Sequence, residues 1–151
     1  DHVKPAVEAL GGLNLWQISM KPGKPFAFGF LKSKASDHSA FFMGLPGNPV
    51  SSFVTFQLLV RPFLLALQGV VKLHTEPLHL KANFDFPKPD KRREFLRVKR
   101  NAQGGLNLFP NQSSGVLTSV VWGDGVVDNP GSKPIQSGDW VRFYPFSEWL
   151  Q

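Results

Sequence analysis

The sequence predicts a two-part molecule, an α/β unit over residues 1–69 and a small all-β barrel over residues 77–151, joined by a linker at 70–76. Three observations predict it. Helical periodicity is confined to the first part. A single strand–turn–helix unit, AFFMGLPGNPVSSFVTFQLLVRPFLLALQG from Ala40 to Gly69, dominates that part. Beyond Val70, short strand-like runs alternate with clusters of Gly, Pro, Asn and Ser.

Taken in order, residues 1–10 read as a helix with Val3, Val7 and Leu10 on one face, ended by Gly11-Gly12. Residues 13–20 alternate as a strand, and Lys21-Pro22-Gly23-Lys24-Pro25 makes a rigid, doubly basic turn. Residues 26–31 and 40–45 flank a polar loop and read as a hairpin. Pro46-Gly47-Asn48 then turns the chain into a helix. Asn48 is a suitable N-cap, and Pro49 occupies the first helical position, where a missing N–H costs nothing. Pro46 and Pro49 hold the turn rigid and leave Gly47 free for positive φ. The helix to Gln68 is apolar almost all round, which predicts burial, with a kink or break at Pro62 and a left-handed cap at Gly69. One strand–turn–helix unit is too few for a parallel α/β sheet, so part of the first domain is expected to be missing, and the start at Asp1 rather than Met points the same way. In the second part the strands fall at 78–84, 94–99, 106–109, 116–121, 125–127 and 140–144.

Composition narrows the function. The chain has 151 residues and 42% apolar content, enough for a core, and Arg61-Pro62 interrupts the one long apolar run, so no bilayer span is expected. The absence of a signal or transit segment and of cysteine predicts a cytoplasmic protein without disulfides or thiolate metal sites. The net charge is +6, and residues 81–100 carry eight basic side chains against three acidic ones. That stretch reads either as a solvated β-edge or as an anion-attracting surface for nucleic acid or a phosphorylated ligand; for Arg92-Arg93 the solvated edge is favoured. The four histidines have no metal-ligand spacing, and G-x-S-x-G, Walker A and Rossmann signatures are absent.

What remains is a set of groups suited to an anion: Lys21, Lys24, the turn from Pro46 to Pro49 with the helix N-terminus behind it, Arg97, and the polar loop 111–115. Asp1 reads as a Mg²⁺ ligand or, equally well, as a plain helix cap. For the two lysines the alternative is a solvated turn.

Two motif blocks are familiar. Met20-Lys21-Pro22-Gly23-Lys24-Pro25-Phe26-Ala27-Phe28-Gly29 and Gly44-Leu45-Pro46-Gly47-Asn48-Pro49-Val50-Ser51 resemble the molybdopterin molybdenumtransferase family (MoeA, gephyrin E domain), and Asp1-His2-Val3-Lys4 resembles the end of that family's G-G-x-S-x-G-D-x-D-x-x-K segment. The resemblance implies that residues 1–69 are the C-terminal half of a molybdopterin-binding α/β domain and that the remainder is a C-terminal β-barrel domain. It implies insertion of molybdate into adenylylated molybdopterin with release of AMP and with Mg²⁺ present. Asp1 would be the catalytic and metal-binding carboxylate and Lys21 a catalytic lysine. Lys21, Lys24, Gly44, Pro46, Gly47, Asn48, Pro49, Arg97 and Ser114 would contact the molybdopterin substrate. Gln17 stands where some relatives carry a second lysine. The implied partners are a small anionic substrate, other molybdenum cofactor biosynthesis proteins and, in the full-length protein, a second copy. The chain alone is expected to be inactive. A scaffold module of gephyrin type and a nucleic-acid-binding β-barrel are the alternatives, the second disfavoured because only Phe84, Phe86 and Phe95 could stack on bases.

Overall fold

The computed structural model describes residues 2–149. Helix α1 (Val3–Leu10) matches the expected helix, but of its apolar face only Val7 is buried. The strand expected over 13–20 divides in two. β1 (Gly11–Gln17) stays in a first sheet, while β2 (Met20–Lys21) leaves it and pairs in parallel with Arg93 and Glu94 of the second half. β3 (Pro25–Lys32) and β4 (Ser39–Gly44) form the expected hairpin, in register from Ala27 opposite Gly44 to Lys32 opposite Ser39. The first sheet has the order β1-β3-β4 and is antiparallel among the described residues, so the α/β unit is a helix-covered antiparallel sheet rather than a parallel one.

Of the kink or break expected at Pro62, the break does not occur. α2 (Pro49–Thr55), a π-helical turn (Phe56–Val60) and α3 (Arg61–Leu67) run on as one helix. The Arg61 N–H reaches back to the Phe56 carbonyl, and this widened turn precedes Pro62, whose ring would otherwise press on the carbonyl four residues before it. Nor is the helix buried all round. Val50, Val54, Val60 and Pro62 face inward, whereas Phe56, Leu64 and Leu67 are exposed. Because it is unbroken, Pro49–Leu67 is, contrary to expectation, long and apolar enough to cross a membrane by length and composition. Here it is a packed helix: Phe53 stacks edge-on against Phe146, and Phe63 against Phe28 and Phe41 of the hairpin. It closes as expected, with Gly69 at φ +80° and two bonds of 3.0 Å, from the Gly69 N–H to Ala66 and from the Val70 N–H to Leu65.

In the second half, β5 (Leu78–Lys81), β6 (Arg93–Arg100), β7 (Leu106–Leu108), β8 (Gly125–Asn129) and β9 (Trp140–Pro145) join β2 in a six-stranded sheet, order β2-β6-β8-β9-β5 with β7 beside β6. The all-β expectation is corrected at two places, α4 (Thr118–Trp122) and α5 (Phe146–Trp149). The Val-rich run at 116–121 looks like a strand, but a helical turn lets Ser119 face fully inward while leaving Val121 82% exposed. Just past β5, Ala82 makes an isolated parallel bridge to Leu106 of β7, and the Asn83 N–H donates to the Leu106 carbonyl (2.8 Å). β6, which begins at Arg93, lies inside the sheet, so the solvated-edge reading of Arg92-Arg93 fails at Arg93, whereas Lys81 of the same basic stretch ends the outer strand β5.

Two cores result. One lies wholly in the second half, around Leu96, Val98, Leu106, Val127 and Phe143. The other joins Met20, Val50 and Val54 to Phe95, Val126, Phe146 and Trp149, so apolar burial ties the two halves of the chain together.

Candidate functional site

The site is built outward from Arg97 on β6, which is only 1% exposed and is bonded to no carboxylate among the described residues. Its Nε donates to Ser119 Oγ (3.1 Å), Nη1 to the Phe95 carbonyl (3.1 Å) and Nη2 to the Ser113 carbonyl (3.3 Å). Burial pushes the guanidinium down to about 10, against the pull of Glu94. The Arg97 backbone exchanges bonds with the Gln112 amide, whose Oε1 accepts the Arg97 N–H (2.9 Å) while its Nε2 donates to the carbonyls of Arg97 (3.0 Å) and Phe109 (2.8 Å). Arg97 and Gln112 therefore pin the loop at 109–115 to β6, and that loop presents Ser114.

Ser114 meets the turn between β4 and α2. Asn48 Nδ2 donates to Ser114 Oγ (2.9 Å), and the Val50 N–H donates to the Ser114 carbonyl (3.1 Å). Asn48 occupies the N-cap position, but its side chain makes no cap bond, which corrects that expectation: the amide is drawn to Ser114 instead. Pro49 sits in the first turn as expected, and the Ser52 hydroxyl bonds back to the Pro46 carbonyl. Gly47 is not in the left-handed region, again unlike the expectation, and a Cβ there would meet nothing within 4 Å. Gly44 ends β4 opposite Ala27.

The basic turn is differently engaged. The Lys21–Pro22 peptide is cis, and Gly23 holds φ +118° with Thr55 Oγ1 occupying the space a Cβ would need. Lys21 Nζ lies 3.1 Å from Glu94 Oε1 and 3.6 Å from Asp90 Oδ2. Arg92 grips the same Asp90 carboxylate through Nε (3.0 Å), Nη2 (2.8 Å) and its backbone N–H (2.9 Å), and holds that carboxyl well below the usual carboxylate range. Lys24 is exposed, and its carbonyl accepts the Ile18 N–H (3.0 Å).

The structure thus brings Pro46, Gly47, Asn48, Pro49 and Ser114 together. It makes Arg97 a buried support of the loop rather than a cation facing a cleft, and gives Lys21 two acidic partners. Asp1, the expected metal carboxylate, lies outside the described residues. Sequence reasoning missed Glu94 and Ser119. Glu94 was legible only as one charge in a basic run, and Ser119 lay in a run read as a strand. The aromatics of the basic stretch face inward: Phe95 is buried, and Phe84 and Phe86 pack against the core.

Residues 1–66 match the family described as a probable molybdopterin binding domain, and residues 79–146 match the MoeA C-terminal region (domain IV). A molybdopterin molybdenumtransferase from Haemophilus influenzae is 49% identical over 99% of this chain and 37% of its own length. The chain belongs to the MoeA family. The molybdenum cofactor synthesis protein cinnamon of Drosophila melanogaster is 35% identical over 86% of this chain and 22% of its own length. The crystal structure of a molybdopterin biosynthesis moeA protein from Pyrococcus horikoshii superimposes with a TM-score of 0.73 at 29% identity, covering 94% of this chain and 34% of that one. The chain therefore spans only 37% and 22% of the lengths of these two curated relatives. The two family matches meet the structure at its joint, since the turn with Asn48 falls in the first and Arg97 and Ser114 in the second.

Proposed function

We propose that this chain carries the turn-and-loop part of a molybdopterin site, in an enzyme that inserts molybdate into adenylylated molybdopterin and releases AMP. One observation supports this above the others. The turn from Pro46 to Pro49 and the loop around Ser114, far apart in sequence and belonging to different family segments, are bonded to each other at Asn48, Val50 and Ser114. The bare Cα of Gly47 beside them has open space, so a flat ring can lie against the backbone there. Lys24 supplies an exposed positive charge for an anionic substrate. The Lys21 ammonium, with three donors, is oriented by Glu94 and Asp90 and can turn a remaining donor to a phosphate or molybdate oxygen. Arg97 acts behind the site as a positioning residue.

Mg²⁺ would supply charge neutralisation at the phosphates when bound. The described residues do not assemble a site for it: no group of three or more His, Cys, Asp or Glu is gathered among them, and the nearest acids, Asp90 and Glu94, are engaged with Lys21 and Arg92. In the same reading the six-stranded sheet is the family's C-terminal barrel, the full-length protein is a cytoplasmic homodimer, and it works with other molybdenum cofactor biosynthesis proteins. Calorimetric titration of the chain with molybdopterin tests the proposal. Lys21→Ala should weaken binding by roughly tenfold, the worth of about one charge-assisted hydrogen bond, and Pro46→Ala should weaken it by loosening the rigid turn. Binding untouched by either change would refute it.

A further inference from the structure

A cavity lined by none of Pro46–Pro49 or Ser114 lies where the π-helical turn faces β6, β9 and the crossing at 18–20. Its volume is about 380 Å³, within the range of roughly 300–1,000 Å³ usual for small-molecule sites. Phe95, Tyr144, Trp149, Leu58 and Leu59 are among the residues that line it. The charged side chains that line it are Arg61 and Arg93, with no Asp or Glu among the lining residues. An apolar chamber with cationic and no anionic walls selects for an apolar anion.

Arg93 gives that selection a direction. Its Nε and Nη2 each donate to Asp128 at 2.6 Å, and the guanidinium lies 5.5 Å from the centre of the Phe95 ring. The fully buried Asp128 carboxylate also receives Arg142 Nη2 at 3.2 Å, so two guanidinium groups share one carboxylate and a positive charge is left over. A guanidinium has five N–H donors, and the bonds to Asp128 do not exhaust them. Because the fork is already held, little further side-chain freedom is lost when a second carboxylate docks on it.

We propose that this cavity binds a small aromatic carboxylate, with its ring between Phe95, Tyr144, Trp149 and Leu59 and its carboxylate on Arg93. None of the residues assigned to the molybdopterin site lines the cavity, so the two proposals stand or fall separately.

The test is calorimetric titration of the whole chain with 2-naphthoate and with its uncharged counterpart 2-naphthalenemethanol. Naphthoate is expected to bind about tenfold more tightly, as a charge-assisted pair requires. Arg93→Met should remove that preference, and Arg93→Lys, which keeps the charge but loses the planar fork, should reduce it. Leu59→Trp, filling the cavity, should abolish binding of both compounds, whereas Val121→Ala on exposed α4 should change neither. Thermal melts of each variant separate lost binding from lost folding. Equal affinity for the two compounds, no binding to the unmodified chain, or binding that survives in a folded Leu59→Trp protein would each overturn the proposal.

Discussion

Arg97 is charged, interior and bonded only to neutral oxygens, so its removal relieves one desolvated cation but strands the oxygens of Ser119, Phe95 and Ser113. Arg97→Met should lower stability by about 2 kcal/mol, the penalty for leaving buried acceptors unpaired, as read by urea unfolding. Thr55 presents the opposite case. Its Oγ1 is buried with no partner among the described residues, and the space beside it is taken by Gly23. Thr55→Val keeps the shape and removes the unsatisfied hydroxyl, so unfolding midpoints should hold or rise, by up to about 1 kcal/mol. Asp90 governs the acid limb. Arg92, and to a lesser degree Lys21, hold its carboxyl below the unfolded value of about 3.9, so the stabilisation it contributes is present above that pH and is lost as pH falls toward the folded value. Asp90→Asn should therefore be less stable than the parent near neutrality, with the gap closing on acidification and shrinking in salt because the pair is partly open to solvent. A gap that widened below pH 4 would contradict the assignment.

At the scale of elements, the Pro49–Leu67 helix shows how one chain accommodates a proline and ends cleanly. The π turn before Pro62 already provides the room its ring needs, so Pro62→Ala should change stability by less than about 1 kcal/mol, far below the roughly 3 kcal/mol of an unrelieved interior proline. Gly69, at φ +80°, is different: Gly69→Ala forces a Cβ into the left-handed region and should cost about 1 kcal/mol. The contact between loop and helix is the element-scale counterpart of the site. Ser114→Ala removes only the Asn48 side-chain bond and leaves the backbone bond to Val50, so it should weaken molybdopterin binding while lowering stability by no more than about 1 kcal/mol.

Across the whole molecule, the two halves share a core in which Met20, Val50 and Val54 pack on Phe95, Phe146 and Trp149, which predicts a single cooperative unfolding transition rather than two. The other side of the first half is less covered. β4 is an outer strand carrying Phe41 at 60% exposure, and Leu64, Leu67 and Val71 are exposed near the end of the helix. Outer strands with apolar side chains pair with other chains, so the protein should associate as its concentration rises, and Phe41→Lys should shift sedimentation toward the monomer.

By itself the sequence determined the local structure wherever one residue's chemistry is decisive. Pro49 at a helix start, Gly69 at a helix end and the alternating apolar residues of the β3–β4 hairpin are local rules, and all three appear in the structure. The motif blocks around Lys21 and Pro46 likewise carry the family's signature in the sequence alone. What only the tertiary structure decided depends on partners distant in sequence. Asn48 is a good cap in isolation, yet its amide goes to Ser114, 66 residues away, because the loop held by Arg97 and Gln112 offers a hydroxyl there. Lys21 reads as an anion-binding cation until β2 pairs with β6 and sets it beside Glu94. The run at 116–121 reads as a strand by its valines and folds as a helix because Ser119 must meet a buried guanidinium. Local propensities are worth a few tenths of a kcal/mol per residue, whereas an unsatisfied buried polar group costs about 1–3 kcal/mol, so where the two conflict the long-range partner decides.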